Sequence, residues 1–245
     1  MARIGILGDI HANLAALEAI LDALDDEACD QLVCTGDIVG YGASPAECIR
    51  LVRERQIPCV LGNHDHYVTL LMDPRLERLS KDVRASIEWT QGVLDMTDLK
   101  WLAQLPRQLD LDGISLVHGA FGPKPWLYLT NEKTVATNFA HQNAALACCG
   151  HTHIPMLAFS SGEGEPPQIG YLRKGALPEA ERVIFNAGSV GQPRDHDSRA
   201  ACAVLDPDAR TVRPLRVPYD ITATQKLMRA AGLPEPFAER LSYGR

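Results

Sequence analysis

The sequence predicts an α/β protein folded as one domain over residues 1–245. Three observations lead to that class. Apolar runs at 3–7, 32–34 and 57–61 alternate with helical spacing, a β-α-β-α-β order that favours a largely parallel sheet with right-handed crossovers. Residue types that bind metals recur where such runs end, which gathers them at one edge of a sheet, where open α/β sheets bind ligands. No linker-like boundary, low-complexity tract or short repeat divides the chain.

Residues 3–7 read as a buried strand, and Leu14, Leu17, Ile20, Leu21 and Leu24 follow at the spacing of one helix face. Leu32 to Cys34 reads as a second strand. Ser44-Pro45 opens a helix through Ala46, Ile49 and Val52, with serine as N-cap and proline in the first turn. Ile57 to Leu61 reads as a third strand. Residues 76–104 read as helical up to Leu105-Pro106, and strands at 107–111 and 114–118 flank Asp112-Gly113, a hairpin signal. A helix near 131–141 precedes the run Ala145 to Cys149. Segment 160–180, rich in glycine, proline and charge, reads as a surface loop or small hairpin. Ile184-Phe185 leads into the turn-rich stretch Asn186 to Val190. Two strands around Asp206-Pro207-Asp208 and a helix from Thr222 follow.

An apolar content of 46% with 22% charge is ordinary for a globular protein. The net charge of −7 argues against a general nucleic-acid surface. It does not exclude an anionic substrate, because bound divalent cations reverse the charge of a site. Seven cysteines, most of them inside apolar runs such as Leu32-Val33-Cys34 and Ala201-Cys202-Ala203, read as small buried hydrophobes in a reducing compartment. Cys148 and Cys149 should point to opposite faces of one strand. There is no CxxC spacing for a thiolate zinc site, no charged leader and no long apolar stretch. The expectation is a cytoplasmic protein without a membrane span.

The chemistry concentrates in Asp9-Ile10-His11, Gly36-Asp37, Gly62-Asn63-His64-Asp65 and Gly150-His151-Thr152-His153, with His118 between the last two. On a continuing strand Asp9 and His11 would face the same way, as would His151 and His153 on an extended segment. Two Asp, one Asn and four His form a mixed oxygen and nitrogen set that suits Mn, Fe, Co, Ni or Zn rather than Ca. The set is too rich for one ion and fits two.

In their order and spacing these motifs resemble those of the calcineurin-like metallophosphoesterase superfamily. The match runs through Asp9/His11, Gly36-Asp37/Gly40, Gly62 to Asp65, His118-Gly119 and Gly150 to His153. The stretches Gly36 to Gly42 and Gly188 to Asp195 are similar to a bacterial and archaeal phosphodiesterase-like branch, although Ala187 stands where that branch often has proline. The resemblance implies a four-layer αββα sandwich, two mixed β-sheets flanked by helices. It implies two divalent or mixed-valence transition metal ions, manganese first, with iron, zinc, nickel and cobalt as the others. Asp9, His11 and His153 would hold one ion; Asn63, His118 and His151 the other; Asp37 would bridge both. A hydroxide between the ions would attack phosphorus, and His64 would protonate the leaving oxygen. Asp65 would either orient the His64 ring or cap its loop.

The implied activity is hydrolysis of small-molecule phosphate esters, phosphodiesters first. A protein serine/threonine phosphatase and a dinucleoside-polyphosphate hydrolase are the alternatives. A non-catalytic scaffold is the reading from another class, and the retained His64 argues against it. As substrate contacts the sequence offers Arg194, whose guanidinium suits phosphate oxygens, with Asn186, Ser189 and Tyr41 beside it. His66 is a further candidate. Small residues at Gly188, Ser189 and Gly191 would leave room for the second ester arm of a diester.

Overall fold

The first strand, β1 (Ile4–Leu7), is buried along its whole length, and α1 (Leu14–Asp26) returns the chain to β2 (Gln31–Cys34), which lies parallel to β1. This computed structural model describes residues 3–111, 113–162 and 165–245. Four helices follow: α2 (Pro45–Glu54), α3 (Asn63–Thr69), α4 (Lys81–Val93) and α5 (Met96–Ala103). The chain continues through β3 (Gln108–Leu111), β4 (Ile114–Val117), α6 (Glu132–Phe139) and β5 (Leu146–Cys149). Next come β6 (Met156–Ser160), β7 (Gln168–Tyr171), β8 (Gly175–Ala176) and β9 (Arg182–Asn186). Strands β10 (Ala200–Asp206) and β11 (Thr211–Val217) precede α7 (Ile221–Ala230) and α8 (Glu235–Glu239).

Two mixed sheets result, with strand orders β2-β1-β10-β11-β8 and β3-β4-β5-β9-β6-β7. Ile4, Ile6, Val33 and Leu205 from the first sheet meet Leu116, Cys148 and Phe185 from the second in one core between them. The opposite face of the first sheet buries Leu7, Cys34 and Cys202 against Leu17, Ile20, Leu24, Ile49 and Val52 of α1 and α2. The far face of the second sheet buries Ala147, Cys149 and Ile184 against Val135 and Phe139 of α6. Helix, sheet, sheet and helix are the four expected layers. Cys148 and Cys149 fall in different cores, as strand alternation requires. All seven cysteines are free. Among the described residues no helix is long and apolar enough to cross a membrane.

Several expected elements change form. Residues 57–61 make only one bridge to β2, at Cys34 and Cys59, because the Leu61 N–H turns away to the Pro106 carbonyl. The helix expected over 76–104 is a 3-10 turn at Pro74–Arg78 followed by α4 and α5. Ser80 and Asp95 divide it, each accepting backbone N–H groups at a fresh helix start. Ser44 occupies its N-cap position without a side-chain hydrogen bond. β3 and β4 pair antiparallel with Leu111 opposite Ile114, while Asp112 of the hairpin signal lies outside the described residues. Part of 160–180 becomes β7 and β8 at the sheet edges. At the other end α8 was not foreseen. Met228, Leu233, Phe237 and Leu241 of the C-terminal helices pack on Tyr41, which follows the Gly36-Asp37 motif.

Candidate metal centre

β1 stops at Leu7, and Asp9, His11 and Ala12 take positive φ values of 50°, 50° and 52°. Asp9 and His11 therefore sit on a turn, not on a continuing strand. That turn lies along the loop after β2: N–H groups of Asp9, His11 and Ala12 donate to the carbonyls of Gly36, Asp37 and Ile38, each at 2.9 Å. His151 and His153 also have positive φ, 69° and 60°, so the expected extended segment is a tight turn. Its shape comes from two sides. Asp9 accepts the His151 N–H through both carboxylate oxygens, at 3.1 and 3.0 Å. Asn186 donates to the Gly150 carbonyl at 2.5 Å and to Thr152 Oγ1 at 3.1 Å. Left-handed backbone at non-glycine residues costs energy and persists where surrounding contacts over-determine it.

These turns bring the predicted ligands together. Asp9, His11, Asp37 and His153 form one buried group, and Asp37, His118 and His151 form a second; within each group the ligand atoms lie within 4.8 Å of one another. Asp37 belongs to both, and Asn63 Oδ1 stands 3.0 Å from His118 Nε2.

The imidazoles are oriented from behind. His11 Nδ1 faces the Val39 carbonyl at 3.3 Å, His118 Nδ1 that of Thr35 at 2.8 Å, His151 Nε2 that of Trp126 at 3.2 Å, and His153 Nδ1 that of Gln192 at 2.6 Å. A carbonyl only accepts, so each outer nitrogen holds a proton; the inner nitrogen then presents a lone pair in the neutral rings of His11, His151 and His153, and in His118 once its second proton leaves. Inner nitrogens then face one another: His11 Nε2 and His153 Nε2 are 3.0 Å apart, His118 Nε2 and His151 Nδ1 3.1 Å. The His11 and His153 lone pairs repel at that distance and a cation is what satisfies them; between His118 and His151 that cation is the His118 proton, whose place a metal ion would take. The donor set fits metal ions on this geometry, with the outer carbonyls fixing each ligand's tautomer.

The charges point the same way. Burial holds His11 and His153 well below the usual histidine range, and burial with the neighbouring His118 takes His151 to about 3. Burial also acts against His118, but the Asp37 and Asp9 carboxylates outweigh it and raise that ring to about 9. Burial raises Asp37 too, yet His118, His64 and His11 together hold it well below the carboxylate range. Burial lifts Asp9 to about 7. Three neutral imidazoles thus stand beside a single His118–Asp37 ion pair.

His64 lies at the edge of the cluster, its Nδ1 buried without a hydrogen-bond partner, and burial takes the ring to about 4. Gly40 is fitted to it: with φ +88°, a Cβ there would lie 2.6 Å from His64 Nδ1. Tyr41 packs between the cluster and the C-terminal helices, its ring 4.3 Å from His64, 4.6 Å from His11 and 4.6 Å from Phe237.

Asp65 does not reach the His64 ring. Its Oδ1 accepts the Ile38 and Val39 N–H groups at 2.9 and 3.1 Å, and its Oδ2 that of Gly62 at 3.1 Å. The geometry therefore corrects the catalytic expectation for Asp65: the carboxylate ties the Asp37 loop to the Asn63 loop.

Asn186 and Ser189 are fully buried, with their hydrogen bonds spent on the framework; Ser189 Oγ donates to the Asp9 carbonyl and accepts from Gln192 N. Gly191 leaves no room for an ester arm, since any Cβ there would collide with the Ile10 carbonyl. The open rim lies elsewhere, where Tyr128 stacks on His151 at 4.0 Å and Trp126 stands 5.8 Å from His118 and 6.2 Å from His66. Arg194 is half-buried, its guanidinium 5.9 Å from the Tyr41 ring centre. Sequence reasoning missed Trp126 and Tyr128, which lie outside every motif, and Gln192, which lies within the Gly188 to Asp195 stretch but carries neither charge nor metal-binding chemistry to mark it.

A model of the calcineurin-like phosphoesterase superfamily domain matches residues 2–210, and the chain belongs to that superfamily. The uncharacterized protein MJ0912 of Methanocaldococcus jannaschii is 34% identical over 249 residues, spanning 100% of this chain and 99% of that one. The crystal structure of a metallophosphoesterase from Sphaerobacter thermophilus superposes with a TM-score of 0.85 at 38% identity, covering 99% of this chain and 100% of the other. The symmetrical bis(5'-nucleosyl)-tetraphosphatase of Actinobacillus pleuropneumoniae is 30% identical over 126 residues, 49% of this chain and 45% of that enzyme. With this fold, family and His/Asp cluster, the protein is a metal-dependent phosphoester hydrolase.

Proposed function

We propose that this protein hydrolyses phosphodiesters at a two-metal centre. The carrying observation is the two pairs of inner imidazole nitrogens, each ring fixed by a backbone carbonyl, around one shared carboxylate. Asp9, His11 and His153 would hold one ion, Asn63, His118 and His151 the other, with Asp37 common to both. Divalent ions held there would supply an activated water and offset charge on the phosphoryl oxygens. Manganese is the first candidate, since the mixed nitrogen and oxygen donors suit it without excluding iron, zinc, nickel or cobalt.

His64 is the proton donor in this reading. Burial holds its ring neutral, and the negative charge of an arriving phosphate ester favours the imidazolium. Tyr41 packs on one face of the ring and Gly40 leaves space for its Nδ1 edge, so its position is set before substrate enters. Arg194 contacts a phosphoryl oxygen from the side of His153, to whose carbonyl its own N–H is bonded at 3.2 Å. The aromatic rim of Trp126 and Tyr128 supports an organic ester arm.

A dinucleoside-polyphosphate substrate is the second reading, favoured by the half-length similarity to the tetraphosphatase. The test is metal analysis with turnover. Manganese-loaded protein should retain about two ions per chain. His64→Ala should keep them while turnover of an aryl phosphodiester falls roughly 10²–10⁴-fold. A single tight ion in the wild type would sink the two-metal centre, and undiminished turnover in the variant would remove His64 from the chemistry.

A further inference from the structure

Behind Tyr41 the C-terminal segment, beyond the part matched by the family model, brings a second arginine to the site. Gln192 is buried at 1% exposure, and its Oε1 accepts from Arg194 Nη2 at 2.9 Å and from Arg240 Nη1 at 3.2 Å. Two guanidinium groups thus converge on one neutral carbonyl oxygen. Among the described residues neither makes an ion pair; the nearby Asp195 spends its Oδ2 on Arg216 and the Tyr171 hydroxyl. Buried without a partner are two further donors, Arg194 Nε and Gln192 Nε2, and one acceptor, Asp195 Oδ1. Around Gln192 the unpartnered donors outnumber the unpartnered acceptor.

An unpaired buried donor loses its water and receives nothing in return, and two like charges drawn together add repulsion. Both costs vanish when an anion with several acceptor oxygens sits between the guanidiniums, whose planar forks match phosphoryl oxygens. The Arg240 guanidinium lies 5.1 Å from the Phe237 ring centre, and Phe237 itself packs on Tyr41, so the apolar C-terminal helices hold it in place. The position is adjacent to the reaction site. The Gln192 main-chain carbonyl orients His153, and Tyr41 touches both sets of residues, its ring centre 5.9 Å from the Arg194 guanidinium and 4.6 and 4.3 Å from the His11 and His64 rings.

We propose that Arg194, Arg240 and Gln192 form a second anion site, which holds the phosphoryl group next to the one being cleaved. The preferred substrates are then compounds with at least two linked phosphoryl groups. The inference rests on the hydrolase reading for its catalytic meaning, but the anion site itself is separately testable.

Full-length protein without added metal is titrated with inorganic pyrophosphate by calorimetry at fixed ionic strength. Wild type should bind. Arg240→Ala should bind roughly 10–100-fold more weakly, the loss of one charge-assisted contact. Arg240→Lys, which keeps the charge and the aliphatic stem, should fall between the two because an ammonium lacks the fork; it also covers the case in which the alanine variant fails to fold. In the manganese-loaded enzymes, the ratio of kcat/KM for a dinucleoside tetraphosphate over bis(4-nitrophenyl) phosphate should drop about tenfold on losing Arg240, the same contact read as transition-state binding. Equal pyrophosphate affinity in wild type and both variants overturns the anion site. If loaded wild type turns over neither ester, the hydrolase reading fails, and the pyrophosphate titration alone decides this one.

Discussion

Replacing Asp65 by asparagine separates a residue that holds the site from one that acts in it. The carboxylate accepts three backbone N–H groups, from Ile38, Val39 and Gly62. In Asp65→Asn the amide oxygen keeps the two bonds to Ile38 and Val39, weakened by about half with the loss of charge. The amide nitrogen then faces the Gly62 N–H, donor against donor, and a buried donor left unsatisfied costs about 1–3 kcal/mol. One effect opposes this: burial and the Asp37 charge raise Asp65 to about 7, so removing the ionised form relieves some strain. We expect a net loss of about 2–4 kcal/mol, which for a chain of this size lowers the thermal midpoint by roughly 5–15 °C. The joined loops carry Asp37 and Asn63, so metal retention should fall with it, on the order of 10–100-fold. Thermal unfolding with elemental analysis of wild type and variant is the assay. Wild-type stability and metal content combined with lost turnover would refute the argument and return Asp65 to the chemistry.

Gly40→Ala should reduce turnover at least about tenfold with the ion count intact, because its Cβ would press on His64 Nδ1; left-handed strain adds roughly 1–2 kcal/mol of destabilisation, measurable by denaturant titration. The Asp197 carboxyl is drawn down to about 2 from 3.8, first by its hydrogen bond from Arg199. A depressed acid stabilises the fold above its unfolded pKa and loses that contribution as pH falls through the folded one. Asp197→Asn should therefore cost less than about 1 kcal/mol near neutral pH, discounted for its exposure, and nothing near the folded pKa. An equal cost at both pH values, read from unfolding midpoints, would count against the pair.

The motifs were legible because metal ligands are confined to a few residue types, and four imidazoles in the company of Asp9, Asp37 and Asn63 have few other uses. The layers were legible from alternation: Cys148 and Cys149 report two cores with two letters. Backbone direction was not. Asp9-His11 and His151-His153 each looked like neighbours on an extended chain, and instead turn through left-handed conformations imposed by bonds to residues far away in sequence. Nor could sequence distinguish Asp65 as orienter from Asp65 as loop tie, since that depends on which donors lie within reach. Asn186 and Ser189 carry the polar side chains expected of phosphate contacts, yet both are spent on the Gly150 and Asp9 turns. Arg240 was invisible because its placement beside Gln192 comes from the packing of Phe237 and Leu241 on Tyr41, a contact between segments far apart in sequence.

The carbonyls behind the four imidazoles belong to Thr35, Val39, Trp126 and Gln192, and two of these residues have a second task. Trp126 orients His151 with its backbone while its ring forms part of the rim. Gln192 orients His153 with its backbone while its side chain gathers Arg194 and Arg240. A group bound at either place pulls on the same residue that sets a ligand's tautomer and direction. Displacing Trp126 or Gln192 by a few tenths of an ångström would loosen one imidazole in each cluster, a change that such partners transmit to the metal. In the proposed two-metal reading, substrate recognition and metal geometry would be coupled through two peptide carbonyls, one in each cluster beside Asp37.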